Sequence, residues 1–323
     1  MTTTPIQRLA TIALALGLAH PAWAAWPDDK PIEVVVGFAP GGGTDLMARK
    51  LLPFVQKRLG PKAQFVVVNK PGAAGEIANA HVRNARPDGY TLLVVNVPGF
   101  LYVPMIKKAQ YEAGDFTLVA RVVDDPTVMV TRADNAVDTL PAIVAASRGK
   151  AGSLSFGHNG VGTNGDLALQ LLAKAARVEL NAVPYKGTAA QKTDVMGGHL
   201  DFGIVSAGEV PELHGKGTGA MKAVVQFGAR RSPALPGVPT ATEAGTPVTM
   251  TSERGFAVHK DVASSVVARL DAAIAESVRD PEFIASASAD APVLAYLPGA
   301  QWQRSLEQNR QALQELARTL PRQ

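Results

Sequence analysis

Residues 32–45, IEVVVGFAPGGGTD, set an apolar β-branched run against a turn that holds three consecutive glycines, Gly41, Gly42 and Gly43. Ile32 to Val36 has the character of a buried strand. Past the turn, Ala48, Leu51, Leu52, Val55 and Leu59 recur at helical spacing and give residues 46–59 one apolar face. A glycine turn that feeds a helix start uncovers backbone N–H groups, and such groups bind anions. A cap alone needs one small polar residue, which Thr44 or Asp45 supplies. Three glycines go further, because they let a ligand approach the backbone itself.

The same unit returns about 120 residues later. Leu154-Ser155-Phe156 reads as a strand, residues 157–165 (GHNGVGTNG) as a second glycine-rich turn, and Leu167, Leu171, Leu172 and Ala175 as a helix face. Between the two units, Val66–Val68 and Thr91–Val95 read as strands, with a helix over 77–84 that stops at the turn signal Arg86-Pro87-Asp88-Gly89. Thr127 to Val130 reads as a strand and 140–148 as a helix that Pro141 opens. This alternation predicts an α/β fold with a mainly parallel sheet in each of two lobes. Residues 25–124 plus 230–323 form the expected first lobe and 125–229 the second, each offering one helix N-terminus to a shared cleft. The Pro/Gly-rich stretch 232–247 carries the chain back, and helical faces follow at Val262, Val266, Leu270 and Ile274, then at Trp302, Leu306, Leu313 and Leu316.

With 323 residues, the chain is long enough for two such lobes, and 46% hydrophobic with 19% charged residues is the composition of a globular protein. The formal charge of +4 comes without the Lys/Arg runs of a nucleic-acid binder, so no nucleic-acid partner is expected. There is no cysteine, which excludes disulfides, thiolate metal sites and a lipidated N-terminal cysteine. Residues 1–24 read as a secretory signal peptide: Arg8, an apolar run from Leu9 to Leu18, and Ala22-Trp23-Ala24 as the cleavage pattern. No later apolar run approaches the ~20 residues of a membrane span, so the mature chain is expected free in the periplasm.

Several chemistries are set aside. The first turn lacks the Gly-Lys-Ser/Thr ending of a P-loop. Gly160 to Gly165 satisfies G-x-G-x-x-G, but no acid follows about 20 residues on, so a dinucleotide cofactor is not expected. No serine sits in a G-x-S-x-G elbow, and the histidines lack metal-ligand spacing. Asp45 and Asp166 could form a carboxylate pair across a cleft, as in a hydrolase. The plainer account is that each stands in the first turn of its helix, where the dipole favours it.

Seven motifs, in order along the chain, resemble the Bug family of periplasmic solute-binding proteins of tripartite tricarboxylate transporters. They are 26–32 (WPDDKPI), 38–45 (FAPGGGTD), 69–75 (NKPGAAG), 87–93 (PDGYTLL), 183–188 (VPYKGT), 197–201 (GGHLD) and 239–245 (PTATEAG). The resemblance implies two α/β lobes joined by crossing strands that close on a ligand. It implies a small organic acid as that ligand, integral membrane transporter subunits (large and small) as partners, no catalysis and no cofactor. It places the ligand's carboxylate at the two glycine turns. Phe38, Ala39, Gly42, Gly43, Thr44 and Asp45 would act from one lobe, and His158, Asn159, Gly162, Thr163, Asn164 and Asp166 from the other. Asn96 and Ser206 are assigned to the ligand's variable end, Tyr185 to the lobe core, and the chain is expected to act as a monomer.

The chain departs from the family pattern at four places. Asp166-Leu167 stands where a His-Leu pair is common, Asn164 where proline is common, and Ser206 near a usual aspartate or asparagine. Residues 257–262 read AVHKDV where A-P-A-G-T-P is frequent. An Asp166 that faced the cleft would repel a second carboxylate. An Asp166 that only caps its helix would leave ligand charge untouched. The alternatives to transport are a periplasmic enzyme using Asp45 and Asp166 as acid and base, and a sensor subunit for a membrane kinase.

Overall fold

The computed structural model describes residues 26–150, 152–209, 219–287 and 293–319. The expected signal peptide lies outside them. Ten strands form one curled, mixed sheet in the order β2-β1-β3-β9-β4-β7-β5-β6, with β8 and β10 both paired to β4. The strands are β1 (Ile32–Val36), β2 (Phe65–Asn69), β3 (Thr91–Val97), β4 (Phe116–Arg132), β5 (Ser155–His158), β6 (Asn181–Pro184), β7 (Phe202–Ser206), β8 (Met221–Gln226), β9 (Thr251–His259) and β10 (Leu294–Pro298). The helices are α1 (Gly43–Leu59), α2 (Glu76–Arg83), α3 (Gly99–Ile106), α4 (Leu140–Gly149), α5 (Asn164–Ala176), α6 (Thr188–Gly197), α7 (Ser264–Ser277), α8 (Pro281–Ala287) and α9 (Gly299–Thr319).

β4 joins the two halves. Its first half pairs with β9 and β10, beside β1–β3, and its second half pairs with β7 and β8, beside β5 and β6. Register shifts at Leu118/Ala120, Arg121/Val123 and Met129/Val130 bend it between the two neighbourhoods, as extra residues in a ladder do. The chain returns where Phe227 N–H donates to Thr127 O and Thr127 N–H to Met250 O. The parallel pairs sit at the outer ends (β1 with β2 and β3, β5 with β6 and β7), while every pairing of β4 and β9 is antiparallel. The mainly parallel sheet expected for each lobe is therefore a mixed one. The strand–helix alternation reported the outer layers, and the crossing strands supply the antiparallel centre.

β1 lies between β2 and β3, and helices cover both its faces, α1 against Ile32, Val34 and Val36 and α2 (Ala78, Val82) against Val35, so its side chains are almost all buried. That is why its sequence is a continuous apolar run rather than an alternation. The α1 stripe (Met47, Ala48, Leu51, Leu52, Val55, Leu59) packs in one core with Ile32, Val34 and Val36 of β1 and with Leu270 and Ile274 of α7. Leu167, Ala168 and Leu172 of α5 pack with Phe156 and Phe202 of β5 and β7. The two glycine turns therefore leave the carboxyl ends of β1 and β5, each between a strand and a helix packed in the same core.

Candidate functional site

The two turns are built alike. Gly41 (φ +79°) and Gly162 (φ +85°) take left-handed backbone, which glycine adopts without a side-chain clash. Two residues later a helix begins, α1 at Gly43 and α5 at Asn164. Four residues after each left-handed glycine stands a buried aspartate that accepts its N–H: Gly41 N to Asp45 Oδ2 at 2.9 Å, Gly162 N to Asp166 Oδ2 at 2.7 Å. Each carboxylate thus closes its own loop.

Their surroundings differ. Asp45 also accepts from Arg49 Nε at 2.9 Å and Asn69 Nδ2 at 2.9 Å. Burial pushes its carboxyl up, but these hydrogen bonds and the guanidinium outweigh it and hold the pKa below the usual value. Asp166 accepts from neutral Gln170 at 2.8 Å. The nearest histidine nitrogen, Nδ1 of His158, lies 3.9 Å from Asp166 Oδ1, and neither atom has a hydrogen-bond partner. Burial lowers the His158 pKa against the pull of that carboxylate, which favours the neutral imidazole. His158 sits behind the second turn rather than in it, where contact with a ligand would need side-chain exposure that it lacks.

Three helix N-termini, not two, meet at the centre. None of the caps of α1 (Gly42), α5 (Thr163) and α6 (Gly187) makes a side-chain capping bond. Gly43, Thr44, Asn164 and Thr188 line one small gap of about 10 Å³ together with Glu209, which ends the short turn after β7. The Glu209 carboxylate accepts from Thr188 Oγ1 at 2.5 Å and Ser206 N at 3.3 Å, and pairs with Arg254 Nη1 at 3.4 Å. Arg254, fully buried on β9, is also bonded to Asp125 of β4, whose carboxylate accepts from Gly208 N at 3.0 Å. A Cβ added to Gly43 would come within 2.3 Å of both Arg254 Nη1 and Glu209 Cγ. That glycine is needed for a close approach of protein to protein.

Beside this pole, and sharing Phe38 and Asn159 with it, lies a cavity of about 390 Å³ between the two halves of the sheet. The halves close over it. A Cβ on Gly187 would be 3.5 Å from Ala39 Cβ, one on Gly160 3.9 Å from Ala74 Cβ, and one on Gly99 3.4 Å from Gly162 O. The wall on the first side is the short turn Ala73–Gly75, where Ala73 (φ +48°) and Ala74 (φ +54°) both hold left-handed backbone. Such strain in an alanine costs about 1–2 kcal/mol per residue and is found where a site needs the geometry. Tyr102 and Tyr185 also face the cavity. Burial first, then Asp194, raises Tyr185 to about 12, and its hydroxyl donates to Asp194 at 2.6 Å. Tyr185 therefore reaches the cavity as well as packing against the lobe core.

The residues expected at the site fall into three groups. Phe38 and Asn159 line the cavity, and with Gly42, Gly43, Thr44, Asn96, Thr163 and Asn164 they line the gap at the pole. Ala39 touches Gly187 across the closure, and Gly162 is covered by Tyr102 and Val103. Asp45, Asp166, His158 and Ser206 line neither space. Each of the two aspartates accepts hydrogen bonds within its own turn. Several of the amides are already engaged: Asn96 donates to Thr44 Oγ1 at 3.2 Å, and Asn164 to Thr127 Oγ1 at 2.8 Å. Sequence reading missed Ala73, Ala74, Lys186, Thr188, Glu209 and Arg254. The motifs at 69–75 and 183–188 pointed at the first four. Nothing local marked Glu209 or Arg254. Among the described residues no cluster of His, Asp or Glu could hold a metal ion, and no helix is long and apolar enough to cross a membrane.

Residues 47–316 match the model of the tripartite tricarboxylate transporter family receptor. Protein BugT of Bordetella pertussis is 33% identical over 236 residues, 72% of this chain and 71% of that one. A Cupriavidus necator protein described as UPF0065 is 29% identical over 85% of this chain and 84% of its own length. Among solved structures, the periplasmic binding protein BugD superposes with a TM-score of 0.81 at 28% identity, over 89% of this chain and 96% of that one. MatC of Rhodopseudomonas palustris with bound malate superposes with a TM-score of 0.77 at 26% identity, over 88% and 95%. The α/β fold superposes on periplasmic binding proteins along nearly its whole length, and this chain belongs to the tripartite tricarboxylate transporter receptor family.

Proposed function

We propose that this receptor works in the periplasm as a monomer, captures a small carboxylate-bearing molecule in the 390 Å³ cavity, and delivers it to the large and small membrane subunits of a transporter. Residues 25–124 plus 230–323 act as one jaw and 125–229 as the other, with the bend in β4 as the joint. One observation carries the reading: among the described residues, the charged ones on the cavity wall are Lys107 and Lys186, and no acid lines it. Lys107 is paired with Glu76 at 2.5 Å, whereas exposed Lys186 has no carboxylate in ion-pair range among the described residues. The cavity size suits a small metabolite. The malate bound by MatC fits the same class of ligand. A ligand that touches both walls favours the closed arrangement by its differential affinity for it.

Native mass spectrometry of the protein purified without refolding tests this directly. One small organic acid per chain is expected, and a thermal-shift panel of mono- and dicarboxylates should then raise the melting temperature by mass action. A co-purified cation, or a panel in which no carboxylate stabilises the protein, would sink the reading.

A further inference from the structure

The cavity and the pole next to it have opposite electrostatic characters. The starts of α1, α5 and α6 point uncapped backbone at the gap, and each helix start carries about half a positive charge. Left alone, that pole would take an anion. It already holds one. Glu209 is buried there with Thr188, Ser206 and Arg254 as donors, its Oε1 2.7 Å from where a Cβ of Gly43 would stand. The first turns of α1 and α5 carry Asp45 and Asp166, and Arg254 already faces Asp125. A ligand carboxylate at the pole would add a further buried negative charge beside Glu209, which like-charge repulsion and desolvation both oppose.

The hydrogen-bond directions agree. Asn159 Nδ2 donates to Thr188 Oγ1 at 3.0 Å, and Thr188 in turn donates to Glu209. The chain of donors therefore runs from the cavity wall inwards and ends on the carboxylate. The remaining gap of about 10 Å³ is close to the minimum for one water, which leaves room for a small donor group and not for a carboxylate.

We infer that Glu209 is the resident anion of the three-helix pole and a specificity-determining residue. It excludes external carboxylates from the pole, so that the ligand's acid binds in the cavity and its inner end bears a hydrogen-bond donor or positive charge. This rests on the receptor reading of the cavity.

Formate is the probe. Glu209→Ala empties the pole, and formate added to the variant should raise its melting temperature saturably, by about 3 °C or more, against sodium chloride at equal ionic strength. Wild-type protein should need at least about tenfold more formate for the same rise. Equal responses in the two proteins would overturn the inference, because removing Glu209 would then have opened no further anion seat. No response in either would overturn it too, since the pole would not be an anion seat. If the variant does not fold alone, its refolding yield from denaturant across the same formate series reads the same equilibrium, and a flat yield overturns the inference. Failure of the receptor reading appears instead as a wild-type protein that binds no carboxylate, an outcome independent of the formate rescue.

Discussion

The left-handed glycine of the first turn is exposed and that of the second is buried. Both turns close a left-handed glycine onto an aspartate four residues on, with a helix starting in between. In the first, Gly41 and Arg49 are exposed, so the donors to Asp45 can turn to water. In the second, Gly162 is buried, so the backbone N–H that Asp166 accepts has no water to turn to, and only the half-buried Gln170 amide could exchange its bond for one to solvent. One backbone device therefore carries two different energetic loads, and solvent access to the donors sets the difference.

The sharpest contrast lies at the glycines inside the two helix starts. Gly43→Ala drives a Cβ into buried Arg254 and Glu209 at 2.3 Å and should cost about 3 kcal/mol. Gly165→Ala meets Ile204 O at 2.9 Å and should cost about 1–2 kcal/mol. Urea unfolding of both variants checks this, and equal losses would remove the asymmetry. Because the contacts of Gly43 are a buried ion network, its substitution should reduce stability as well as ligand affinity.

Removing the carboxylates probes solvent access itself. Asp166→Ala leaves the Gly162 N–H buried without a partner and should cost about 2–3 kcal/mol. Asp45→Ala leaves donors that water can reach and should cost about 1 kcal/mol. A larger loss at Asp45 would reverse the comparison. The amide substitutions should then separate the sites further. Gln170 Oε1 is unpartnered, so its amide can turn to accept from an asparagine, and Asp166→Asn should recover most of the loss. Asp45→Asn gives up its ion pair with Arg49 and should recover less.

The smallest effects come from pH. Asp45 has a lowered folded pKa, so the unfolded chain binds its proton first. Its contribution is present above the unfolded value near 3.8 and is lost as pH falls through the folded one. Asp45→Asn should flatten stability in that acid range. His158 behaves differently: its folded pKa lies below 6.5, so the unfolded chain gains a proton that the native turn refuses. Stability should fall as pH drops below about 6.5, and His158→Gln should flatten that limb of the curve without touching the more acid one. Unfolding midpoints across pH resolve the two limbs. A single shared limb would mean that the turns do not titrate separately.

How much of this was legible in advance depends on the range of each interaction. The strand at 32–36 is found where expected, because its run is apolar on both faces. The helix expected over 46–59 begins three residues earlier, at Gly43, since tertiary contacts rather than propensity hold its glycine start. The strand expected over 127–130 is part of a 17-residue crossing strand, whose bulges break the period that would have announced it. α3 carries Pro104 inside a largely buried segment, where helical periodicity is weak. Left-handed Ala73 and Ala74 have no sequence signal, because alanine favours the opposite hand and only the surrounding fold can hold it there.

By itself the sequence determined the repeated strand, glycine turn and helix, the placing of an aspartate in the first turn of each of those helices, and the absence of cysteine chemistry. These are local matters of backbone freedom, side-chain period and composition. Only the tertiary structure decided which donors are already satisfied, that a third helix joins the other two, and that Glu209 stands where they meet. Arg254 reaches Glu209 across 45 residues and Asp125 across 129. No local pattern records such a meeting, because charge and hydrogen-bond saturation depend on what the crossing strands bring together in space.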